Sequence, residues 1–228
     1  MPSNLSKEEL NDIIQWDVKN WKNAIPFWES HFDIKPGMKV LAIGERFGGI
    51  SLYFALKGCN VYCSDYKISL AKAEELHKKY GVENKVTYIN ADMRELEFED
   101  ETFDVVVFKS VLGALSFYED QDKAMKEMHR VLKKDGALLF AENTRATNLH
   151  SFVRRKFVKW SEGWRYTLDV DFENWKKLFS NSVSKKIGFI ALFGRSEKQR
   201  NILASLDYFF RPATPKKWRY IYLGVFKK

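Results

Sequence analysis

Apolar positions along this chain switch repeatedly between helical spacing and short strand-like runs, and the switches predict its elements. Lys39 to Ile43 is a short apolar run with a β-branched bias that ends in a glycine-bearing turn. Beyond the turn, Ile50, Tyr53, Phe54 and Leu56 recur at helical spacing up to Gly58, which gives strand, turn, helix. Asn60 to Ser64 is a second strand closed by Asp65-Tyr66, and Ser69 to Tyr80 a helix with Leu70, Ala73, Leu76 or His77, and Tyr80 inward and Gly81 as its stop. Lys85 to Ile89 is a third strand, ending at Asn90-Ala91-Asp92-Met93. Phe103 to Phe108 is a fourth, so apolar that it is read as buried on both faces, and it ends at Lys109-Ser110. A helix from about Gln121 to Leu132 leads to a fifth strand, Ala137 to Ala141, ending at Glu142-Asn143. His77 reads as a surface or boundary residue and His129 as structural.

Upstream, residues 6–31 read as two amphipathic helices, one with Leu10, Ile13 and Ile14 on its inner stripe, the other with Trp21, Ala24, Ile25 and Trp28 and a kink at Pro26. Trp16, Trp21 and Trp28 in so short a span suggest a lid as readily as edge packing. Downstream, Ile187 to Phe193 and Trp218 to Phe226 read as the last two strands, with a helix from Glu197 to Tyr208 between them. Strands alternating with helices imply an α/β fold: a Rossmann-like, doubly wound, seven-stranded sheet, mostly parallel with an antiparallel last strand and helices on both faces.

In such a sheet, ligands bind outside the carboxyl ends of the strands. Gly44, Asp65, Asp92 and Lys109-Ser110 all fall at those ends, so one crevice can hold them all. The turn Gly44-Glu45-Arg46-Phe47-Gly48-Gly49 aims free N–H groups and the positive end of a helix dipole at one point. It departs from the dinucleotide fingerprint because Arg46 stands where the second glycine belongs. Asp65 lies 21 residues beyond Gly44, the spacing at which an acid accepts both hydrogens of a ribose diol.

Charge divides the chain. Residues 1–144 hold 19 Lys+Arg against 24 Asp+Glu, whereas residues 145–228 hold 19 against 6. The basic last third favours an anionic partner: a phosphate-bearing small-molecule or glycan acceptor, RNA, or a membrane face touched peripherally. No apolar run has the length of a membrane span and Met1-Pro2-Ser3-Asn4 opens no signal peptide, so a cytoplasmic protein is expected. Cys59 and Cys63 read as core, and no cluster has metal-ligand spacing.

Taken together, Val40-Leu41-Ala42-Ile43-Gly44, the acid Asp65, Ala91-Asp92-Met93, Phe103-Asp104-Val105-Val106 and the segment from Glu127 to Glu142 resemble the class I S-adenosylmethionine-dependent methyltransferases, of the type 11 sort. The resemblance covers most of the chain and implies S-adenosyl-L-methionine as cofactor. Gly44, Glu45, Arg46 and Gly48 would lie against its methionine part and Asp65 would bind the ribose. Tyr66 would flank the adenine, Asp92 and Met93 cap its far edge, and Lys109 and Ser110 hold the amino-acid tail. The family usually has an acid at Ala42 and a glycine at Arg46; Glu45 is the candidate to replace the missing acid. A weaker resemblance, through Trp16 to Trp21 and Ser51 to Gly58, is to members from bacterial surface-polysaccharide gene clusters.

The resemblance also implies one methyltransferase domain over residues 1–228, with residues 1–36 as a helical lid and 144–182 as the acceptor-binding insertion. The insertion carries Phe152, Phe157, Trp160, Trp164, Tyr166, Phe172, Trp175 and Phe179 among Arg154, Arg155, Lys156, Lys159 and Arg165, aromatic faces for a ring and guanidinium groups for a phosphate. The reaction implied is displacement at the sulfonium methyl by an acceptor oxygen or nitrogen, with Glu142 and His150 the candidate bases by topology. Rival readings are an RNA methyltransferase, a catalytically silent cofactor-binding protein and an NAD-dependent oxidoreductase.

Overall fold

A computed structural model describes residues 5–157 and 163–228. Lys159 and Trp160, named above, lie outside the described residues, as does the opening Met1-Pro2-Ser3-Asn4.

The seven strands are β1 (Lys39–Ile43), β2 (Asn60–Asp65), β3 (Val86–Asn90), β4 (Phe103–Lys109), β5 (Leu132–Asn143), β6 (Asn181–Ile187) and β7 (Ile221–Lys227). They form one sheet in the order β3-β2-β1-β4-β5-β7-β6, in which only β7 runs against its neighbours. The order reverses between β1 and β4, so the crevice expected from sequence falls at their carboxyl ends. Alternation along β1 divides the core. Val40 and Ala42 face one layer, with α4 (Gly49–Leu56), α5 (Ala71–Lys79) and the N-terminal helices; Leu41 and Ile43 face the other, with α6 (Tyr118–Val131) and α8 (Asp169–Trp175). In the second layer Phe140 stacks against Phe108, Phe172 and Tyr222 with ring centroids 5.2, 5.6 and 6.0 Å away. The column closes because Gly224 is its cross-strand partner; a Cβ there would lie 2.2 Å from the Phe140 ring.

Several boundaries differ from the sequence expectation. Residues 6–31 fold as three helices, α1 (Lys7–Ile14), α2 (Val18–Trp21) and α3 (Ala24–His31). Pro26 falls in the first turn of α3, where its missing N–H has no intrahelical acceptor, so it needs no kink. The sixth strand is Asn181–Ile187 rather than Ile187–Phe193: Gly188, with φ of +72°, turns the chain out of the sheet, and residues 191–193 form a 3-10 turn. Polar residues at an edge strand had hidden it. The segment after β5 contains α7 (Asn148–Phe157) and α8, and α9 (Glu197–Phe210) precedes β7.

Candidate functional site

Parallel pairing of β1 with β2 sets Ile43 opposite Ser64, so Gly44 and Asp65 emerge side by side, and the Glu45 N–H donates to the Ser64 carbonyl at 2.9 Å. Gly44 has φ of +72° and a Cβ on it would lie 2.4 Å from Val111 Cγ2, so the turn closes only with glycine there. These residues open on a cavity of about 640 Å³ lined also by Glu45, Arg46, Gly48, Lys109 and Ser110 from the strand ends, and by Trp16 and Asp17 from the N-terminal segment. The far wall is Asn143, Arg154, Trp164 and Tyr166.

Specific neighbours hold the charged and polar groups that line the cavity. Asp65 Oδ1 accepts the Tyr66 N–H at 2.7 Å, and desolvation raises its pKa above the ordinary carboxylate value. Glu45 turns inward: its Oε2 accepts from the Ser51 N–H and hydroxyl, each at 2.8 Å, and burial raises its pKa as well. The Lys109 ammonium lies 4.7 Å from the Trp16 ring centroid and 5.3 Å from that of Trp21. Burial pushes it down to about 8, against the pull of Glu45, Glu142 and Asp17. Ser110 accepts the Asn143 amide N–H at 2.7 Å. Arg154 is buried, donates to the Thr144 carbonyl at 2.7 Å and stacks on Tyr166 with 4.0 Å to the ring centroid.

The structure does not bring every expected residue to the cavity. Tyr66, Asp92 and Met93 stand at neighbouring strand ends outside its lining, and Asp92 is bound by Arg94 with Nη2–Oδ2 at 2.7 Å. Neither candidate base faces it. Glu142 is enclosed behind the loop after β4, where Oε2 accepts the Val111 and Leu112 N–H groups at 2.8 and 2.9 Å and Oε1 that of Asn143 at 2.7 Å. Its carboxylate is spent on holding that loop, although burial pushes its pKa up to about 7. His150 has both ring nitrogens engaged, Nδ1 with the Thr147 hydroxyl at 2.6 Å and Nε2 with the Phe189 carbonyl at 2.7 Å, and is packed on Phe193. Both are engaged by neighbouring groups of the chain instead.

Two residues were missed. His77, read as a boundary residue, is fully buried beneath the glycine turn, with Nε2 2.9 Å from the Gly48 carbonyl and Nδ1 2.9 Å from the Tyr88 hydroxyl. Asp17 is 2% exposed and lines the cavity, holding the Tyr220 hydroxyl at 2.5 Å and the Asn20 amide at 3.3 Å. Burial is the main cause that pushes its carboxyl up to about 6. Only its place in a tryptophan-rich segment hinted at a role. Among the described residues no group of His, Cys, Asp and Glu could hold a metal ion.

The family model described as a methyltransferase domain matches residues 41–140, which run from β1 to β5. Among curated proteins the chain is similar to the ubiquinone/menaquinone biosynthesis C-methyltransferase UbiE of Shewanella frigidimarina, 30% identical over 161 residues, 67% of this chain and 59% of that protein. The protein of the same name from Idiomarina loihiensis is 30% identical over 138 residues, 58% of this chain and 53% of that one. The chain therefore spans little more than half the length of these relatives. Among solved structures it is similar to Haemonchus contortus phosphoethanolamine N-methyltransferase 2 in complex with S-adenosyl-L-methionine, with a TM-score of 0.64 and 20% identity over 91% of this chain and 52% of that one. The [4+2]-cyclase SpnF has a TM-score of 0.61 and 16% identity, covering 92% of this chain and 80% of that one. These two likenesses speak for the fold alone.

Proposed function

We propose that the chain, whose residues 41–140 match the methyltransferase domain model, is an S-adenosylmethionine-dependent methyltransferase whose acceptor enters between the cofactor and the Trp164-Tyr166-Arg154 wall. The observation that carries the reading is the single cavity shared by Gly44, Asp65 and that wall. The residues present fit the cofactor: a glycine turn that admits a ligand to the backbone, a half-buried carboxylate beside it for a ribose diol, and a partly buried cation for a carboxylate tail. Gly44 and Gly48 would hold the methionine part, Asp65 the ribose, Lys109 and Ser110 the tail, and Glu45 the ammonium. Tyr66, Asp92 and Met93 would border the adenine from outside the cavity, and Arg46 flanks the turn. When bound, the cofactor supplies an activated methyl carbon, so the protein's work is alignment of a nucleophile and removal of its proton.

Asp17 is the carboxylate we assign to that proton. It faces the cavity, and its raised pKa puts its ionised and neutral forms within reach of one another near neutral pH. The acceptor we infer is a small or glycan or nucleotide-sugar type anionic molecule methylated on oxygen or nitrogen. Trp164 and Tyr166 offer ring faces. Behind them Arg145 and Arg155 line a second cleft of about 330 Å³ that shares these two aromatics. In this reading residues 1–36 cover the cofactor and 144–182 shape the acceptor side.

Calorimetry with S-adenosylhomocysteine tests the core of the proposal. Binding is expected for the native chain, with roughly a tenfold or greater rise in Kd for Asp65→Ala through loss of a charge-assisted pair of hydrogen bonds. No heat with the native chain would refute the assignment.

A further inference from the structure

Arg200 reaches the cavity from the first turn of α9, and its backbone is locked there from three directions. Ser196 caps the helix: its hydroxyl accepts the Gln199 N–H at 3.3 Å and its carbonyl the Arg200 N–H at 2.9 Å. Gly194 lies against the residue so closely that a Cβ there would fall 2.8 Å from both the Arg200 nitrogen and its Cγ. Further along α9, the Asp207 carboxylate accepts the N–H groups of Phe189, Ile190 and Ala191 at 2.9, 2.7 and 3.1 Å, which ties the helix to the loop that carries Gly194.

The guanidinium, by contrast, is loosely held. Its Nη1 meets Glu197 Oε2 at 3.5 Å, the long limit of a hydrogen bond, and among the described residues that is its one polar partner. Glu197 is itself occupied, since each of its oxygens accepts a backbone N–H, one from Asp17 and one from Val18. The side chain is 30% exposed, so its other N–H donors are left to solvent or to a ligand of the cavity. Charges in the lining sort in the same direction. Asp17, Glu45 and Asp65 stand against Arg46, Lys109, Arg154 and Arg200. The cofactor would draw on Glu45, Asp65 and Lys109, with Arg46 flanking its turn, which leaves Arg154 and Arg200 against Asp17 on the acceptor side. Arg154 already donates to the Thr144 carbonyl at 2.7 Å and the Asn143 amide oxygen at 3.3 Å. Once Asp17 has taken a proton, the acceptor side of the lining holds no ionised carboxylate.

We propose that Arg200 binds an oxyanion of the acceptor, a carboxylate or a phosphate, in a two-pronged hydrogen bond on the Asp17 side of the cavity. The inference rests on the methyl transfer proposed above and adds where the acceptor carries its charge: on the same side as the proton that Asp17 removes. A planar guanidinium matches two oxygens of such a group, and its rigid helical seat fixes the direction of approach. The bound anion also acts on Asp17. The Arg200 charge works against the burial that raises the Asp17 carboxyl, alongside the hydrogen bonds from Tyr220 and Asn20, while the Glu197 charge adds to the rise. An anion on Arg200 offsets that charge, so Asp17 holds a proton more readily when the acceptor is in place.

Phenylglyoxal, which modifies arginine, gives a readout at the residue itself. In the chain saturated with S-adenosylhomocysteine, acetate or inorganic phosphate is expected to slow modification of Arg200 about fivefold, read by peptide mass spectrometry, with no slowing by chloride at the same ionic strength. Protection by acetate assigns a carboxylate-bearing acceptor, and protection by phosphate alone a phosphate ester. A carbon-13 carboxyl titration of Asp17, its resonance identified by loss in Asp17→Asn, supplies the second readout. The protecting anion and Arg200→Gln should each raise the midpoint by about half a unit or more, and Arg200→Lys should restore it. The proposal is overturned if neither anion protects Arg200, or if the midpoint moves with neither the anion nor Arg200→Gln, as for a residue that only builds the helix. A rise of about tenfold in the Kd for S-adenosylhomocysteine in Arg200→Gln overturns it too, because the guanidinium would then serve the cofactor's carboxylate. A native chain that binds S-adenosylhomocysteine and fails these tests keeps the methyltransferase reading and loses this one; a native chain that does not bind it loses both.

Discussion

Asp17 and Lys109 are two cavity groups whose protonation is displaced by where they sit. For Asp17, replacement by Asn keeps the hydrogen bonds to Tyr220 and Asn20 within reach but removes the carboxylate proposed as base. Once an acceptor is in hand, Asp17→Asn is expected to lower kcat about a hundredfold with little change in cofactor Kd, and to abolish the acid limb of the pH profile near 6. An unaltered profile would assign the proton elsewhere. For Lys109, the folded value of about 8 lies below the ordinary 10.5. Below pH 8 the ammonium is charged in folded and unfolded chains alike, and the folded one bears its desolvation. Between about 8 and 10.5 the folded chain has shed the proton while the unfolded chain keeps it, so stability rises with pH. Affinity for the cofactor's carboxylate should fall over the same rise. Lys109→Met should flatten both trends, which calorimetry and thermal melts across pH would read.

At the scale of elements, the strand-turn-helix of β1 and α4 and the acid ending β2 were legible because local pattern determines them: an apolar run, glycines where no Cβ fits, a fixed spacing. What lay outside local pattern was misread. His77 sits on a charged helix, and only the turn above it supplies the Gly48 carbonyl that makes burial tolerable. His77→Phe should leave that carbonyl unsatisfied and loosen the turn, raising the Kd for S-adenosylhomocysteine several-fold while leaving Asp65 in place. The edge strand β6 was displaced in the reading because Asn181-Ser182-Val183-Ser184-Lys185-Lys186 pairs on one side only and needs few apolar residues. The Phe140 column shows the opposite case, a core feature set by residues far apart in sequence. Phe140→Ala is expected to cost about 3–5 kcal/mol in denaturant unfolding, since three stacked rings lose their common neighbour.

For the whole molecule, alternation of strands and helices was enough to give a doubly wound, mostly parallel sheet, and the split of charge foretold that the last third would be basic. The catalytic candidates were not legible at this scale. Topology put Glu142 and His150 near strand ends, but it says nothing of which way a side chain turns, and both turn toward backbone partners. Asp17 escaped because its surroundings are assembled from both ends of the chain, with Tyr220 lying 203 residues away.

The Glu197 carboxylate, at the start of α9, accepts the N–H groups of Asp17 and Val18 at 3.0 and 2.9 Å, where α2 begins. A ribosome therefore releases the first half of this clasp long before the second exists. Nascent chains stalled after β5 should bury much of the parallel sheet yet leave the tryptophan-bearing front of the crevice unlatched, and cofactor capture should arise only once α9 has emerged.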